Sequence, residues 1–259
     1  MNDRTGLEEL DAARENRRSR QKAFYIILVL VLAFIVAVAL FRFFFRVEKI
    51  TAEGSTRYSF EDIVNDSGIV KGQSMFFISE SKVQERLKSK YPYIEKVTVD
   101  RKMPSGVKIT VEERSVMAYI GVNGELFALS EDMYVLDRIT ENDLHDGLIK
   151  INASVSNLRK AVVGEMLEFF DPKTSKCIFT LLETLDENGV KDQVSSINAD
   201  NRFSLSMRYG DRFTVYLGSI EDIEIKIPFL IGIIESLGKT DKGKIDVSSA
   251  ENATFSPEK

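Results

Sequence analysis

The most prominent feature of the hydrophobic pattern is an uninterrupted apolar run at residues 23–41, AFYIILVLVLAFIVAVALF. The run contains no charged residue, glycine or proline, and as a helix it would span about 28 Å, close to the thickness of the hydrocarbon core of a bilayer. Because only a helix satisfies its own backbone hydrogen bonds in lipid, the pattern predicts a single transmembrane helix over residues 23–45.

Basic residues flank this run on both sides, and they are more numerous before it (Arg14, Arg17, Arg18, Arg20 and Lys22, against Arg42, Arg46 and Lys49). This bias favours a cytoplasmic N-terminus, with residues 1–22 as a short and mostly disordered cytoplasmic tail. A cleaved signal peptide is the alternative, since residues 37–39 read Ala-Val-Ala. A retained anchor is favoured over it, because the chain stays hydrophobic through Phe45 and no polar segment precedes that site. In both cases the rest of the chain is exported.

Residues 46–115 show the pattern of a small β-α-α-β-β domain. A strand at residues 47–53 is followed by a short helix that a capping box of Ser59 and Asp62 would begin. A second helix carries apolar residues at helical spacing and ends at Pro92. Valine and isoleucine then alternate with polar residues on both sides of a turn at residues 103–106, which predicts a β-hairpin with one buried face.

Residues 116–250 predict a larger, mostly antiparallel β domain with covering helices. Short apolar strands are expected at residues 116–120, 126–129, 134–136, 194–199, 203–208, 213–217 and 244–248. One helix would begin at Asp171 and Pro172, and another at a capping box of Ser219 and Asp222, with Pro228 kinking or dividing the latter. Residues 251–259 would form a C-terminal tail or edge strand, and the fold class is α+β overall.

The composition argues against several kinds of site. The net charge is −5 with both signs mixed along the chain, so no clustered basic surface for nucleic acid is expected. Cys177 and His145 are the only cysteine and histidine, which excludes an internal disulfide, most zinc sites and the usual Ser-His or Cys-His pairs. Cys177 is expected to be a packed core thiol and His145 a surface-loop residue. No catalytic or phosphate-binding motif is present, so we expect no enzyme activity, metal, cofactor or small-molecule substrate.

The order of several motifs resembles a known family. In the first domain these are residues 47–50, Gly54, residues 68–69, Gly72, residues 75–77, Leu87, residues 92–94, Pro104 and residues 111–114; in the second they are residues 215–218, Lys226 and residues 243–248. The first set is similar to a POTRA domain. A POTRA domain directly after one N-terminal transmembrane helix resembles the bacterial cell-division proteins FtsQ and DivIB, and the second set follows the pattern of that family in the same order.

This resemblance implies a non-enzymatic scaffold at the division septum that helps to regulate septal peptidoglycan synthesis. Its partners would be membrane proteins of the FtsB/DivIC and FtsL type, bound by strand addition at the C-terminal sheet edge. The implied partner-binding residues are Ile225, Lys226, Phe229, Ala253, Thr254 and Phe255. The implied recruitment face of the POTRA domain consists of Lys49, Tyr58 and Glu61. A proline at Thr254 would then block a partner strand while the fold survives.

Other interpretations of the same residues remain open. Ile225 and Phe229 could simply pack, Phe255 could be a tail residue, and the POTRA domain could be a spacer that holds the β domain away from the bilayer. A membrane-anchored export or assembly chaperone is an alternative function, although such proteins normally carry tandem POTRA repeats or a following β-barrel. An anchored cell-wall enzyme is a further alternative that would require a nucleophile or a metal set.

Overall fold

The computed structural model describes the backbone of residues 3–249 and 252–258, and the side chains of residues 24–249 and 252–258. Contacts between Cα atoms divide the chain into two compact units. Each unit is built from two segments. The first unit contains the chain up to Val83 together with Thr98–Thr110, and the second contains Gln84–Val97 together with the chain from Val111 onward.

The N-terminal element is one long helix, α1 (Asp3–Phe44). Within the described residues, only its segment Phe24–Phe44 is long and apolar enough to cross a membrane, with a mean hydropathy of 3.2; a signal sequence would meet the same criterion. The helix begins far before the apolar run, so the structure corrects the expectation of a mostly disordered tail. Once a helix is nucleated, each further residue adds one backbone hydrogen bond, and leucine, alanine, arginine and glutamate before the run are good helix formers.

The next elements follow the predicted β-α-α-β-β order. They are β1 (Lys49–Glu53), α2 (Phe60–Asp66), α3 (Glu80–Lys90), β2 (Ile94–Lys102) and β3 (Gly106–Glu113). The strands form a sheet in the order β1-β3-β2, with β1 parallel to β3. The alternating residues of the predicted hairpin are buried as expected, and the Ser59 hydroxyl caps α2 by accepting a hydrogen bond from the Asp62 N–H at 3.1 Å.

The second unit contains a nine-stranded sheet in the order β14-β13-β12-β11-β10-β7-β4-β5-β6. Its strands are β4 (Ala118–Val122), β5 (Glu125–Leu129), β6 (Val135–Ile139), β7 (Ile149–Asn152), β10 (Val194–Asn198), β11 (Leu205–Tyr209), β12 (Phe213–Gly218), β13 (Gly243–Asp246) and β14 (Thr254–Pro257). A separate pair consists of β8 (Leu158–Lys160) and β9 (Glu168–Phe169). The sheet is mostly antiparallel, as predicted, but three of its neighbouring pairs are parallel: β4–β7, β7–β10 and β12–β13.

Two helices make the parallel pairs in the C-terminal half possible, because parallel neighbours need a long crossover connection. Helix α4 (Lys173–Glu187) lies between β7 and β10 in the chain, and α5 (Ile223–Ser236) lies between β12 and β13. The apolar face of α4, which includes Cys177, Ile178 and Leu181, packs into one core with the sheet and with α5.

The starts of these helices differ in part from the sequence-based prediction. The N-cap position of α4 is Pro172, one residue later than predicted, although a carboxylate oxygen of Asp171 accepts a hydrogen bond from the Lys173 N–H at 3.0 Å. Helix α5 begins after Asp222, which has a left-handed backbone and makes no capping bond, so the predicted capping box with Ser219 is wrong. Helix α5 also continues across Pro228 instead of being divided there. Proline removes the N–H that would donate to the Glu224 carbonyl, a loss of one helix hydrogen bond at an exposed residue.

Candidate functional site

The C-terminal edge of the nine-stranded sheet is formed by β14, which pairs with β13 and has no neighbour on its other side within the described residues. The antiparallel register joins four residue pairs: Gly243 with Pro257, Lys244 with Ser256, Ile245 with Phe255, and Asp246 with Thr254. The sequence predicted a tail or edge strand within residues 251–259, and the observed strand is Thr254–Pro257. The unpaired side of β14 is therefore a backbone edge that another strand could extend.

The pairing also determines which backbone groups of β14 face outward. The Glu258 N–H donates a hydrogen bond to the Lys242 carbonyl at 2.9 Å, so these two residues form a hydrogen-bonded pair of the ladder. In an antiparallel pair, hydrogen-bonded and non-hydrogen-bonded residues alternate. Ser256 and Thr254 therefore direct their N–H and C=O groups toward β13, while those of Phe255 and Ala253 point to the open side.

Side chains alternate between the two faces of the sheet, and those on the inner face anchor this segment to the core. The Phe255 ring is half-buried and packs edge-on against the fully buried ring of Phe213, with centroids 6.2 Å apart. Ala253 is half-buried against the same core, and Thr254 is exposed. Phe255 is thus a packed strand residue with an outward-facing backbone and not a tail residue, and its role in partner binding stays a prediction.

Gly243 is a residue of this edge that the sequence analysis did not single out as functional. A Cβ atom built on Gly243 would lie 2.2 Å from the Ser256 carbonyl oxygen and 3.0 Å from the Phe255 ring. Such distances are far below van der Waals contact, so β14 can approach β13 at this point only because the residue has no side chain. A glycine at the first position of an apolar strand was the available signal, since glycine in strands often marks a close backbone approach.

Helix α5 presents two of the predicted partner-binding residues to solvent. Ile225 is 58% exposed and Phe229 is 39% exposed, whereas Ile223, Ile227 and Leu230 on the opposite face are buried. Residues 225 and 229 are four apart, so their side chains share one face of the helix. Ile225 also lines a cavity of about 530 Å³, together with residues of α4 that include Cys177.

Lys226 occupies a different position from the one expected of a partner-binding residue. Its side chain is 2% exposed, and its ammonium donates hydrogen bonds to the Leu217 carbonyl at 3.1 Å and the Ser219 carbonyl at 3.0 Å. Burial lowers the pKa of Lys226, against the opposing effect of the nearby carboxylates of Asp222 and Glu221. The structure therefore corrects this assignment: Lys226 ties α5 to the end of β12 and is not available on the surface.

The predicted recruitment face lies in the first unit. Lys49 is exposed at the start of β1, which is an edge strand of the three-stranded sheet, and Glu61 is exposed in the first turn of α2. Tyr58 is half-buried in the connection between β1 and α2, and its N–H donates a hydrogen bond to the Ser55 hydroxyl at 2.9 Å. Of this set, Lys49 and Glu61 are exposed, and their role in recruitment stays a prediction.

The two residues with the greatest potential for chemistry occupy the positions expected from the sequence. Cys177 is buried, and this burial raises the pKa of its thiol, which disfavours the nucleophilic thiolate. His145 is exposed in a loop, with Nδ1 3.0 Å from the Asp146 carbonyl oxygen. Across the described side chains, no group of three or more His, Cys, Asp or Glu residues could hold a metal ion.

Comparison with known proteins assigns two successive parts of the chain to one family. Residues 45–114 match the model of the POTRA domain, FtsQ-type, and residues 116–248 match the model of the cell division protein FtsQ/DivIB, C-terminal. The second match alone covers just over half of the chain.

Similar proteins carry corresponding names. The cell division protein DivIB of Clostridium botulinum (strain Hall) is 26% identical over 248 residues, which cover 95% of this chain and 94% of the relative. The DivIB protein of Clostridium acetobutylicum is 26% identical over 217 residues, covering 82% of this chain and 83% of the relative. The cell division protein FtsQ of Geotalea daltonii is 24% identical over 170 residues, covering 63% of this chain and 58% of the relative. With residues 45–114 and 116–248 matched in the family's order, the chain belongs to the FtsQ/DivIB family of cell division proteins.

Proposed function

We propose that this cell-division protein is a non-enzymatic scaffold that binds partner proteins by adding their strands to the open side of β14. The observation that carries this proposal is the direction of the backbone N–H and C=O groups along β14. Those of Thr254 and Ser256 point toward β13, and those of Phe255 and of Ala253, the residue before the strand, point outward. A partner strand would satisfy these groups and gain main-chain hydrogen bonds along the edge.

The partners would be division proteins of the FtsB/DivIC and FtsL type. Exposed apolar residues at the surface of α5 support a second contact, since Ile225 and Phe229 offer side-chain surface that a backbone edge lacks. The exposed Lys49 and Glu61 of the first unit would take part in recruiting the protein to the division machinery. Binding at these surfaces would help to control septal peptidoglycan synthesis.

The proposal includes a single-pass topology with the N-terminus in the cytoplasm. All side chains of Phe24–Phe44 are free of contacts that would bury them, and a helix with this mean hydropathy is unfavourable in water. The excess of basic residues before the run would keep the N-terminus inside, and the domains after α1 would lie outside the cytoplasmic membrane at the division septum.

Two proline variants test strand addition, and the register makes them a matched pair. Ala253→Pro removes an outward N–H, whereas Thr254→Pro removes an N–H that bonds to β13. We expect Ala253→Pro to weaken binding of the DivIC-type partner about tenfold, the equivalent of about 1.4 kcal/mol, because one partner hydrogen bond is lost and the partner strand is displaced. Its thermal unfolding should match that of the wild type.

Thr254→Pro should instead detach β14 from β13, lowering both the protection of the edge against hydrogen exchange and the binding of the partner. This replaces the expectation from the sequence that a proline at Thr254 would leave the fold intact. Binding would be measured by biolayer interferometry with the purified full-length protein in detergent or nanodiscs. Wild-type affinity of a normally folded Ala253→Pro variant would show that partners do not add a strand at β14.

A further inference from the structure

The loop formed by residues 70–77 carries an unusually exposed aromatic residue. Phe77 ends a 3-10 turn, Met75–Phe77, and its side chain is 83% exposed; Val70 at the other end of the loop is 64% exposed. Large apolar side chains held in water are unfavourable, and an exposed apolar patch marks an interaction surface.

This turn is held in place by three hydrogen bonds to two other parts of the first unit, the residue after α1 and a strand. Met75 is fully buried, and its N–H donates to the Phe45 carbonyl at 3.1 Å. The Arg101 guanidinium, which comes from β2, donates to the Met75 carbonyl at 3.0 Å and to the Ile78 carbonyl at 2.9 Å. Phe77 is therefore presented to solvent by a fixed backbone.

The turn lies against the C-terminal end of the apolar segment of α1. The Phe76 ring stacks on the Phe41 ring, with centroids 5.4 Å apart and an interplanar angle of 19°, and contacts the Phe45 ring at 5.6 Å. Phe41 is one helical turn inside the apolar run relative to Phe45. The turn thus reaches the depth at which the last turn of a membrane helix meets the headgroups.

The surroundings of the turn have the composition of a membrane interface. Phe43 and Phe44 of α1 are also exposed, and the Arg46 guanidinium lies 6.0 Å from the centroid of the Phe43 ring. Lys71 is exposed beside Val70. Aromatic rings next to arginine and lysine are typical of residues that lie between lipid chains and phosphate groups.

We propose that the loop of residues 70–77 is a second membrane contact, in which Phe77 and Val70 enter the headgroup region of the bilayer that α1 crosses. The occupant of this surface is lipid, because the loop is continuous with the lipid-facing surface of α1 through the stacked rings of Phe76 and Phe41. The proposal rests on the proposed transmembrane role of α1. Its consequence is that the first unit is held at a fixed height and orientation on the membrane. With α1 as the only attachment, the unit could reorient freely.

A fluorescent label at position 77 tests the contact. Since Cys177 is the only cysteine, Phe77→Cys in a Cys177→Ser background gives one reactive thiol in the full-length chain. The protein would be placed in nanodiscs of phosphatidylcholine and phosphatidylglycerol, with one copy per disc. Control labels would be at Glu53→Cys, an exposed site at the opposite end of β1, and at Val31→Cys within the apolar run.

We expect lipids with a nitroxide on the headgroup to quench the label at 77 several-fold more strongly than the label at 53, and aqueous iodide to show the opposite order. A label at 77 that behaves like the label at 53, while the label at 31 is quenched by nitroxides deep in the bilayer, would overturn the inference and leave the transmembrane helix in place. A label at 31 that escapes these deep nitroxides would overturn both. Far-UV circular dichroism of each labelled protein would verify that the fold is retained.

Discussion

At the scale of single residues, Lys226 shows how a charged side chain can be structural in this fold. Its ammonium is buried and pairs with the carbonyls of Leu217 and Ser219, which stand on either side of Gly218 at the end of β12. Burying a charge is costly unless hydrogen bonds compensate for the lost hydration, and two carbonyl acceptors supply that compensation. A lysine on a predicted helix gives no sign of this burial in its sequence.

Lys226→Met should destabilise the protein by about 1–3 kcal/mol, because it leaves two carbonyl groups without their hydrogen-bond donor. Lys239→Met is the matched control, since Lys239 is exposed and the same substitution there should change stability by less than about 0.5 kcal/mol. The free energies of unfolding would be compared by urea titration. Equal stability of the two variants would mean that the Lys226 hydrogen bonds contribute nothing net.

The pH dependence of this effect has a defined sign. Because burial lowers the pKa of Lys226, the unfolded chain holds the proton more tightly than the folded chain, and the free energy of unfolding rises with pH between the two pKa values. The stability difference between the wild type and Lys226→Met should therefore grow as the pH rises toward about 10.4, the ordinary pKa of lysine. Burial raises the pKa of Tyr209, which has the opposite effect at high pH, but this contribution is common to both proteins and cancels in the difference. A difference that stays constant or shrinks over this range would contradict the assignment.

At the scale of elements, the docking of β14 on β13 depends on one close approach. Gly243 leaves space for the Ser256 carbonyl, and the Phe255 ring then packs against Phe213. The sequence did reveal both strands approximately, from their apolar residues. It could not reveal which side of β14 stays open, because the direction of each N–H depends on the register with a strand that is distant in the chain.

Gly243→Ala should displace β14, because the new methyl group would overlap the Ser256 carbonyl. We expect faster hydrogen exchange across residues 254–258 and weaker partner binding, with the remainder of the second unit still folded. Gly232→Ala is the control: a Cβ atom there meets no atom within 4 Å, and alanine favours a helix over glycine by about 1 kcal/mol. Unchanged exchange of β14 in Gly243→Ala would show that the strand can shift to accommodate a side chain.

At the scale of the whole molecule, the chain combines one long N-terminal helix with two matched family domains, residues 45–114 and 116–248. In the proposed function, the apolar segment of α1 holds the protein in the membrane and the edge formed by β14 binds its partners. A signal peptide would be cleaved from the exported domains, whereas an anchor stays covalently joined to them.

A doubly tagged protein would distinguish these cases in the source bacterium. With an N-terminal fluorescent protein and a C-terminal epitope, we expect one band that carries both tags, an epitope accessible from outside the cytoplasmic membrane, and fluorescence at midcell before constriction. Separate bands for the two tags would establish cleavage after the apolar run. An even membrane signal from an intact and functional fusion would contradict residence at the septum.

The sequence by itself determined the features that depend on neighbours along the chain. The apolar run of α1, the helical spacing of Val83, Leu87 and Tyr91, and the alternation in β2 and β3 each follow a period of 3.6 or 2 residues, and the structure buries the predicted residues of α3 and the hairpin. The motif order was sufficient to indicate the family, which the domain matches confirm.

The tertiary structure alone decided the features that depend on distant residues. Strand β7 was not predicted, although it joins β4 and β10 by parallel pairing and so links the antiparallel part β4–β6 to the antiparallel part β10–β12. Likewise, the burial of Lys226, the outward backbone of Phe255 and the contact of Phe76 with α1 are set by partners far away in the chain. Periodicity shows which face of an element is apolar, but strand order, register and exposure are settled only when the elements pack.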